Sequence, residues 1–132
     1  MIKAGILGAT GYAGIEVVRL LTKHKDVEIT MLVSQSFKGK KISEVYPSLL
    51  NVNDMVCEEL DAQKCADTCD VVFAALPHGA SKEIIPHLYE KGLKIIDLSG
   101  DFFMKRMFLI ILHSGFGFKF GNQRHIIISF NF

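Results

Sequence analysis

The strongest chemical signal in the chain is the glycine spacing of residues 8–14, Gly8-Ala9-Thr10-Gly11-Tyr12-Ala13-Gly14. The pattern G-x-x-G-x-x-G is one residue longer than the usual dinucleotide fingerprint, but it serves the same physics. Glycine permits a tight turn and lets the backbone come close to a bulky anion. Residues 2–7, IKAGIL, form a short, mostly apolar run of strand length. Beyond the turn, Gly14, Val17, Val18 and Leu21 recur at i, i+3, i+4 and i+7, which is one face of a helix. A strand, a glycine turn and a helix in that order can bind a nucleotide pyrophosphate. The free N–H groups of the helix N-terminus face the negative charge. Gly14, one turn in, lets the helix pack against the strand it came from.

Other residue types capable of chemistry are sparse. Cys57, Cys65 and Cys69 neither open a predicted helix nor follow a glycine turn, and no histidine lies near them in sequence. They are read as small core residues without an activated thiolate. The C-x-x-x-C spacing of Cys65 and Cys69 has no second ligand pair, so no metal site is expected. His78 follows Pro77 at the end of an apolar run. It either hydrogen-bonds a cofactor or substrate, or stabilises the turn. His24 and His87 are read as helix-surface residues. Three tyrosines are followed four residues later by Glu16, Leu50 and Leu93. No Tyr-x-x-x-Lys pair of the short-chain dehydrogenase type is therefore present.

The elements that must position the glycine turn alternate along the chain. Residues 27–33 read as a second strand, and residues 34–41 as a polar, basic loop hinged at Gly39. Residues 42–46 read as a helical turn stopped by Pro47, and residues 55–60 as a third strand. Asp61 reads as the N-cap of a short helix. Residues 70–76, DVVFAAL, are apolar on both faces, as a buried parallel strand requires. An amphipathic helix marked by Ala80, Ile84, Ile85 and Leu88 follows and is closed by Gly92. Residues 93–98 form a further strand. This alternation predicts an α/β fold, a Rossmann-type parallel sheet of about five strands flanked by helices. Four segments then share the carboxyl edge of the sheet, where ligands bind: residues 8–14, 34–41, 76–79 and 99–101.

Composition limits the partners. The 132 residues carry a net charge of +1 and are 49% hydrophobic. This favours a globular domain without a general nucleic-acid partner. No apolar run approaches the roughly 18 residues of a membrane helix, and three cysteines suit a reducing, cytoplasmic setting. The end of the second strand, Ser34-Gln35-Ser36, lacks the carboxylate that takes the ribose hydroxyls of NAD. Lys38, Lys40 and Lys41 follow it. Hydroxyls and cations accept a 2′-phosphate that a carboxylate would repel, so NADP is favoured over NAD.

Three motifs, GATGYAG at residues 8–14, LPHGAS at 76–81 and DLSGDF at 97–102, together resemble the N-acetyl-gamma-glutamyl-phosphate reductase family. These are arginine-pathway enzymes that reduce an acyl phosphate, N-acetyl-glutamyl 5-phosphate, to a semialdehyde with NADPH. The resemblance implies that Gly8, Thr10, Gly11, Tyr12, Ala13 and Gly14 hold the pyrophosphate. It also implies that Ser34, Gln35 and Ser36 lie at the 2′-phosphate. The family often has an arginine where Gln35 stands. Leu76, Pro77, His78 and Gly79 would lie along the cofactor near the nicotinamide. Ser99, Gly100 and Asp101 would face the substrate. The family forms homo-oligomers, and its catalytic cysteine and histidine belong to a second domain, so no catalytic residue is expected here. A stand-alone NADP-binding module and the cofactor domain of an aspartate-semialdehyde dehydrogenase-like enzyme are the alternatives.

All 14 acidic residues lie at or before Asp101. Residues 102–132 contain none, but hold eight of the ten phenylalanines. Phe103 stands where the family's DLSGDFR carries arginine. Residues 1–101 are therefore expected to be the dinucleotide-binding domain. Residues 102–132 are expected to be an irregular, Phe-rich tail, disordered or out of the family's reading frame; the alternative is a genuine tail that supplies extra strands.

Overall fold

The computed structural model describes residues 1–77, 79–98, 118–120, 123–125 and 127–129. Its elements, in chain order, are β1 (Ile2–Leu7), α1 (Tyr12–Thr22), β2 (Val27–Val33), α2 (Ile42–Val45), a 3-10 turn (Pro47–Leu49), α3 (Ala62–Thr68), β3 (Val71–Ala74), α4 (Ala80–Glu90) and β4 (Lys94–Asp97). Three short strands complete the list: β5 (Phe118–Phe120), β6 (Gln123–His125) and β7 (Ile127–Ser129). The main sheet has the order β2-β1-β3-β4-β7, and every pair in it is parallel. β5 and β6 form a separate antiparallel pair.

This order follows from alternation of apolar residues along the central strands. Leu7, Met31, Val33, Val72, Ala74 and Ile95 share one core with Cys65 of α3 and with Ile85 and Leu88 of α4. Ile6 and Leu32, their immediate neighbours in sequence, belong to a second core with Val18 of α1, Ile42 and Leu49. Consecutive residues of β1 thus serve opposite faces of the sheet, and helices cover both. Each fully buried side chain of this size contributes about 1.5–3 kcal/mol. Gly5, in the middle of β1, leaves room that the Cys69 sulfur takes up. A Cβ at Gly5 would lie 2.9 Å from that sulfur.

The expected parallel sheet is present, but its fifth strand is not the one anticipated. Residues 55–60 do not form a strand. They make two isolated bridges, Val33 with Glu58 and Lys41 with Val56. This segment alternates well enough to read as extended. It runs beside the end of β2, however, and meets the sheet's backbone only around Glu58, which bridges Val33 and donates to the Leu32 carbonyl (2.8 Å). The fifth position is taken by β7, whose Ile127 and Ile128 pair with Ile95 and Ile96.

Asp61 caps α3 as expected, its carboxylate accepting from the backbone N–H of Gln63 (2.9 Å) and of Lys64 (3.0 Å). Gly92, at φ +87°, terminates α4. Among the described residues no helix is long and apolar enough to cross a membrane. Replacing Asp61 by Ala leaves two first-turn amides without their cap. The expected loss is about 1 kcal/mol in urea denaturation, and an unchanged midpoint would show that the cap carries no stability.

Candidate functional site

The strand order reverses between β1 and β3. The chain leaves β1 for β2 on one side and returns across it to β3 on the other. The crevice beyond the carboxyl ends of these two strands is where ligands of doubly wound sheets bind. Residues 8–14, residues 75–77 and Gly79 lie at this crevice.

The glycine turn is built from the end of β1 outward. Gly8 adopts φ +73°, and a Cβ there would stand 2.3 Å from the Ala75 carbonyl oxygen. The turn is thus pressed against the exit of β3. The N–H groups of Gly8 and Ala9 both donate to the Val33 carbonyl, at 3.0 and 2.9 Å, which ties the turn to the end of β2. A Cβ at Gly14 would lie 1.9 Å from the Gly8 carbonyl oxygen. The first turn of α1 therefore rests directly on the strand exit, as the sequence reading anticipated. Gly11 differs from the other two. A Cβ there would meet only the Gly8 oxygen, at 3.5 Å, so its outer side is open. It is the N-cap of α1 and makes no side-chain cap, and the first turn carries no acidic residue. Tyr12 and Ala13 are exposed. The N–H groups of a first helical turn have no partner within the helix. Here nothing acidic competes with an anion for them.

Thr10 is held from two sides. Its hydroxyl is hydrogen-bonded to that of Ser34 (2.8 Å), and its carbonyl accepts from the Tyr46 hydroxyl (2.5 Å). Ser34 is only 2% exposed, and its hydroxyl also accepts from the Phe37 N–H (3.2 Å). Of the three residues expected at a 2′-phosphate, Ser34 is therefore engaged inside the fold. Gln35 and Ser36 are exposed.

The loop that follows is clamped from outside. Gly39, at φ +83°, donates to the Cys57 carbonyl (2.7 Å), and the Ser34 N–H donates to the Glu58 carbonyl (3.0 Å). Lys38 pairs with Glu59 at 3.3 Å, and the Lys40 ammonium stands 6.0 Å from the centre of the Phe37 ring. An open concavity lined by Glu58, Glu59, Leu60, Asp61, Ala62 and Lys64 flanks this region. Its three carboxylates make it unsuited to a phosphate.

On the β3 side, Leu76 is half-buried and Pro77 exposed. Gly79, at φ +93°, caps α4. His78, Ser99, Gly100 and Asp101 lie outside the described residues. Asp97, the last residue of β4, is fully buried. Tyr46 is the site residue that sequence reasoning missed. It is 36 positions from Thr10, and its one local signal, the following Pro47, marks only a helix stop.

All three cysteines are buried. The Cys65 thiol donates to the Met31 sulfur (3.4 Å), and burial pushes its pKa up to about 12. Burial also raises that of Cys57. All three are packing thiols, and burial keeps Cys57 and Cys65 protonated at neutral pH. Among the described residues no group of three metal-binding side chains occurs.

Fold and turn together define a dinucleotide-binding domain of the doubly wound α/β class. The family profile described as "Semialdehyde dehydrogenase, NAD binding domain" matches residues 3–117, and the chain belongs to that family. It is 58% identical over 102 residues to the N-acetyl-gamma-glutamyl-phosphate reductase of Acetivibrio thermocellus, covering 77% of this chain and 30% of that protein. It is 52% identical over 102 residues to the same enzyme of Thermoanaerobacter pseudethanolicus, with the same coverage. A putative [LysW]-L-2-aminoadipate/[LysW]-L-glutamate phosphate reductase of Nitrosopumilus maritimus is 49% identical over 100 residues, covering 76% of this chain and 29% of that protein. The chain thus spans about 30% of the length of the curated relatives it matches. The resemblance drawn from the three motifs is borne out. In fold, the chain is similar to the aspartate semialdehyde dehydrogenase of Candida albicans solved with NADP. The TM-score is 0.76 at 24% identity, covering 99% of this chain and 42% of that one.

Two predictions follow from this geometry. Gly14→Ala forces a methyl group into the Gly8 carbonyl and is expected to cost about 2–4 kcal/mol in denaturant unfolding. Gly39→Ala meets no atom within 4 Å and suffers only the positive-φ strain, about 1 kcal/mol. Equal losses would show that the close approach at Gly14 is not a constraint. For Cys65, a thiol with a raised folded pKa favours the folded state fully below the unfolded value of 9.0, and that contribution is lost as pH rises from about 9 to about 12. The thiol is expected to react with a disulfide reagent at pH 8 only as fast as the chain opens. Reaction within seconds in native buffer would contradict this burial.

Proposed function

We propose that this chain is the cofactor-binding part of an NADPH-dependent reductase. That enzyme would convert N-acetyl-glutamyl 5-phosphate to N-acetyl-glutamate 5-semialdehyde in the cytoplasm. The observation that carries this reading is the 58% identity over 102 residues to an N-acetyl-gamma-glutamyl-phosphate reductase. In this reading residues 1–101 are the dinucleotide-binding unit and residues 102–132 a divergent tail.

The residues fit a nicotinamide dinucleotide. The open side of Gly11 and the first-turn amides of Tyr12, Ala13 and Gly14 would hold the pyrophosphate. Gly8 and Thr10 shape the turn beneath it. Ser36, Gln35 and Lys40 are the exposed groups at the end of β2 that favour a 2′-phosphate, while buried Ser34 fixes the loop. The resemblance would put Leu76, Pro77, His78 and Gly79 beside the nicotinamide and Ser99, Gly100 and Asp101 toward the substrate. When bound, the cofactor supplies the hydride. Attack on an acyl phosphate calls for a thiolate, and the buried thiols of this domain do not provide one. The chain is therefore assigned binding and orientation rather than turnover. The acyl phosphate is the small-molecule partner, and the complete enzyme is a homo-oligomer.

Titration with NADPH and NADH, followed by cofactor fluorescence, tests the assignment. NADPH is expected to bind at least about tenfold more tightly than NADH, or about 1.4 kcal/mol. Equal affinities would remove the 2′-phosphate assignment. Absence of binding to either, in a chain folded by circular dichroism, would remove the cofactor reading.

A further inference from the structure

We infer that Tyr46 is a positioning residue of the glycine turn, acting through the carbonyl of Thr10. Its importance to a cofactor rests on the reading that residues 8–14 hold a dinucleotide. The local geometry of the turn stands apart from that reading.

The Thr10–Gly11 peptide is held at both ends. Its carbonyl accepts from the Tyr46 hydroxyl at 2.5 Å, and its N–H donates to the Gly8 carbonyl at 3.1 Å. This peptide leads directly into the N-cap of α1, so its plane sets where the first-turn amides begin. Gly11 has no side chain to restrict it, and the space outside it is open. Without the phenol this peptide can rotate beside an unrestricted Gly11 and lose its bond to the Gly8 carbonyl. The first-turn amides of α1 that follow it then no longer start from a fixed plane, and an anion meets them out of line. The Tyr46 phenol opposes that rotation.

The phenol is itself well anchored. Tyr46 ends α2 and begins the 3-10 turn, its N–H donating to the Ile42 carbonyl (2.8 Å) and its carbonyl accepting from Leu49 (2.9 Å). The side chain is half-buried and packs against the core cluster of Ile6, Val18, Ile42 and Leu49. α2 is fastened in turn by the Ile42 N–H to the Met55 carbonyl (2.8 Å) and by Ser43 to Asp54. The excursion between β2 and α3 thus carries a rigid arm back to the turn. This gives residues 42–57 a function that neither sheet pairing nor loop closure supplies.

The cost of losing the arm appears as a population effect. If the turn spends only part of its time in the binding geometry, apparent affinity falls by that fraction. Loss of one hydrogen bond of ordinary strength corresponds to roughly a threefold to tenfold change.

The test compares wild type with Tyr46→Phe, which keeps the packed ring and removes only the hydroxyl. In the ligand-free proteins, amide hydrogen exchange is measured by NMR at Gly11 and at the sheet positions Ile6 and Leu32. Exchange at Gly11 is expected to rise about tenfold, well beyond any change at the sheet amides, with a melting temperature lower by only a few degrees, and NADPH affinity is expected to fall roughly threefold to tenfold. Unchanged Gly11 exchange overturns the proposal. Faster Gly11 exchange in a chain that binds no NADPH even as wild type supports the positioning role, and it removes the dinucleotide reading instead. Should Tyr46→Phe fail to fold, wild type labelled at the tyrosine Cζ decides the matter. In mixed light and heavy water, a slowly exchanging hydroxyl splits that resonance. Splitting at Tyr46 but not at exposed Tyr12 supports the bond, and a single sharp line at both overturns it.

Discussion

The structure depends on one close approach. The first turn of α1 rests on the Gly8 carbonyl so tightly that a Cβ at Gly14 would overlap it at 1.9 Å. With any side chain there, α1 must start later or tilt away. Its uncapped amides would then no longer meet the crevice between β1 and β3. The same approach leaves a turn of three glycines in seven residues, which is conformationally costly. Each glycine loses about 0.5–1 kcal/mol more than alanine on ordering. Bonds from outside the turn offset that cost: two amides on Val33, the Thr10–Ser34 pair and the Tyr46 phenol on Thr10. At about 1 kcal/mol each, they are of the same order as the entropy they oppose.

Those ties also separate the residues that shape the edge from those left to meet a ligand. Ser34 lies where a 2′-phosphate contact is expected, yet its hydroxyl is spent on Thr10 and Phe37. Lys38 lies in the same loop, yet Glu59 partners it. The exposed remainder is Gln35, Ser36, the Lys40 ammonium beside Phe37, and Lys41. A sequence motif records position along the chain. Which polar atom is left over depends on the segments packed beside it, here residues 56–59. The electrostatic case for an anion accordingly rests more on the acid-free, uncapped start of α1 than on the count of nearby lysines.

Much of this was legible in the sequence, for identifiable reasons. β2 was read at its observed bounds because its apolar run is framed by a helix end and a polar loop. α3 was placed by Asp61 and α4 by its apolar face and Gly92, all local signals. β3 and β4 were trimmed by one to two residues at their ends, where strands fray into turns. Residues 55–60 were misread because alternation reports extended backbone and says nothing of whether a partner strand is in reach. The fifth strand, Ile127–Ser129, falls in the tail, where the change of composition favours an irregular reading over the alternative of extra strands. Tyr46 was missed for a more basic reason. A hydrogen bond between residues 36 apart leaves no trace in spacing, and only the path of the intervening loop creates it.

The thiols complete the physical argument about what this domain contributes. A cysteine acts as a nucleophile when its environment stabilises the thiolate, through a helix N-terminus, a cation or a metal. Cys65 has the opposite surroundings: apolar side chains, the Met31 sulfur, and Cys69, Asp61 and Glu58, each of which opposes ionisation, with Lys64 the one counterweight. Cys69 fills the gap left by Gly5 in the central strand, where a charge would be desolvated. Among the described residues, the helix start that carries neither a side-chain cap nor an acidic first turn, that of α1, holds no cysteine and opens beside Gly11 instead. Charge stabilisation and sulfur are thus kept in different parts of the domain. A fold that performed acyl transfer by itself would have to bring them together, whereas a fold that holds a dinucleotide has reason to keep its thiols inert.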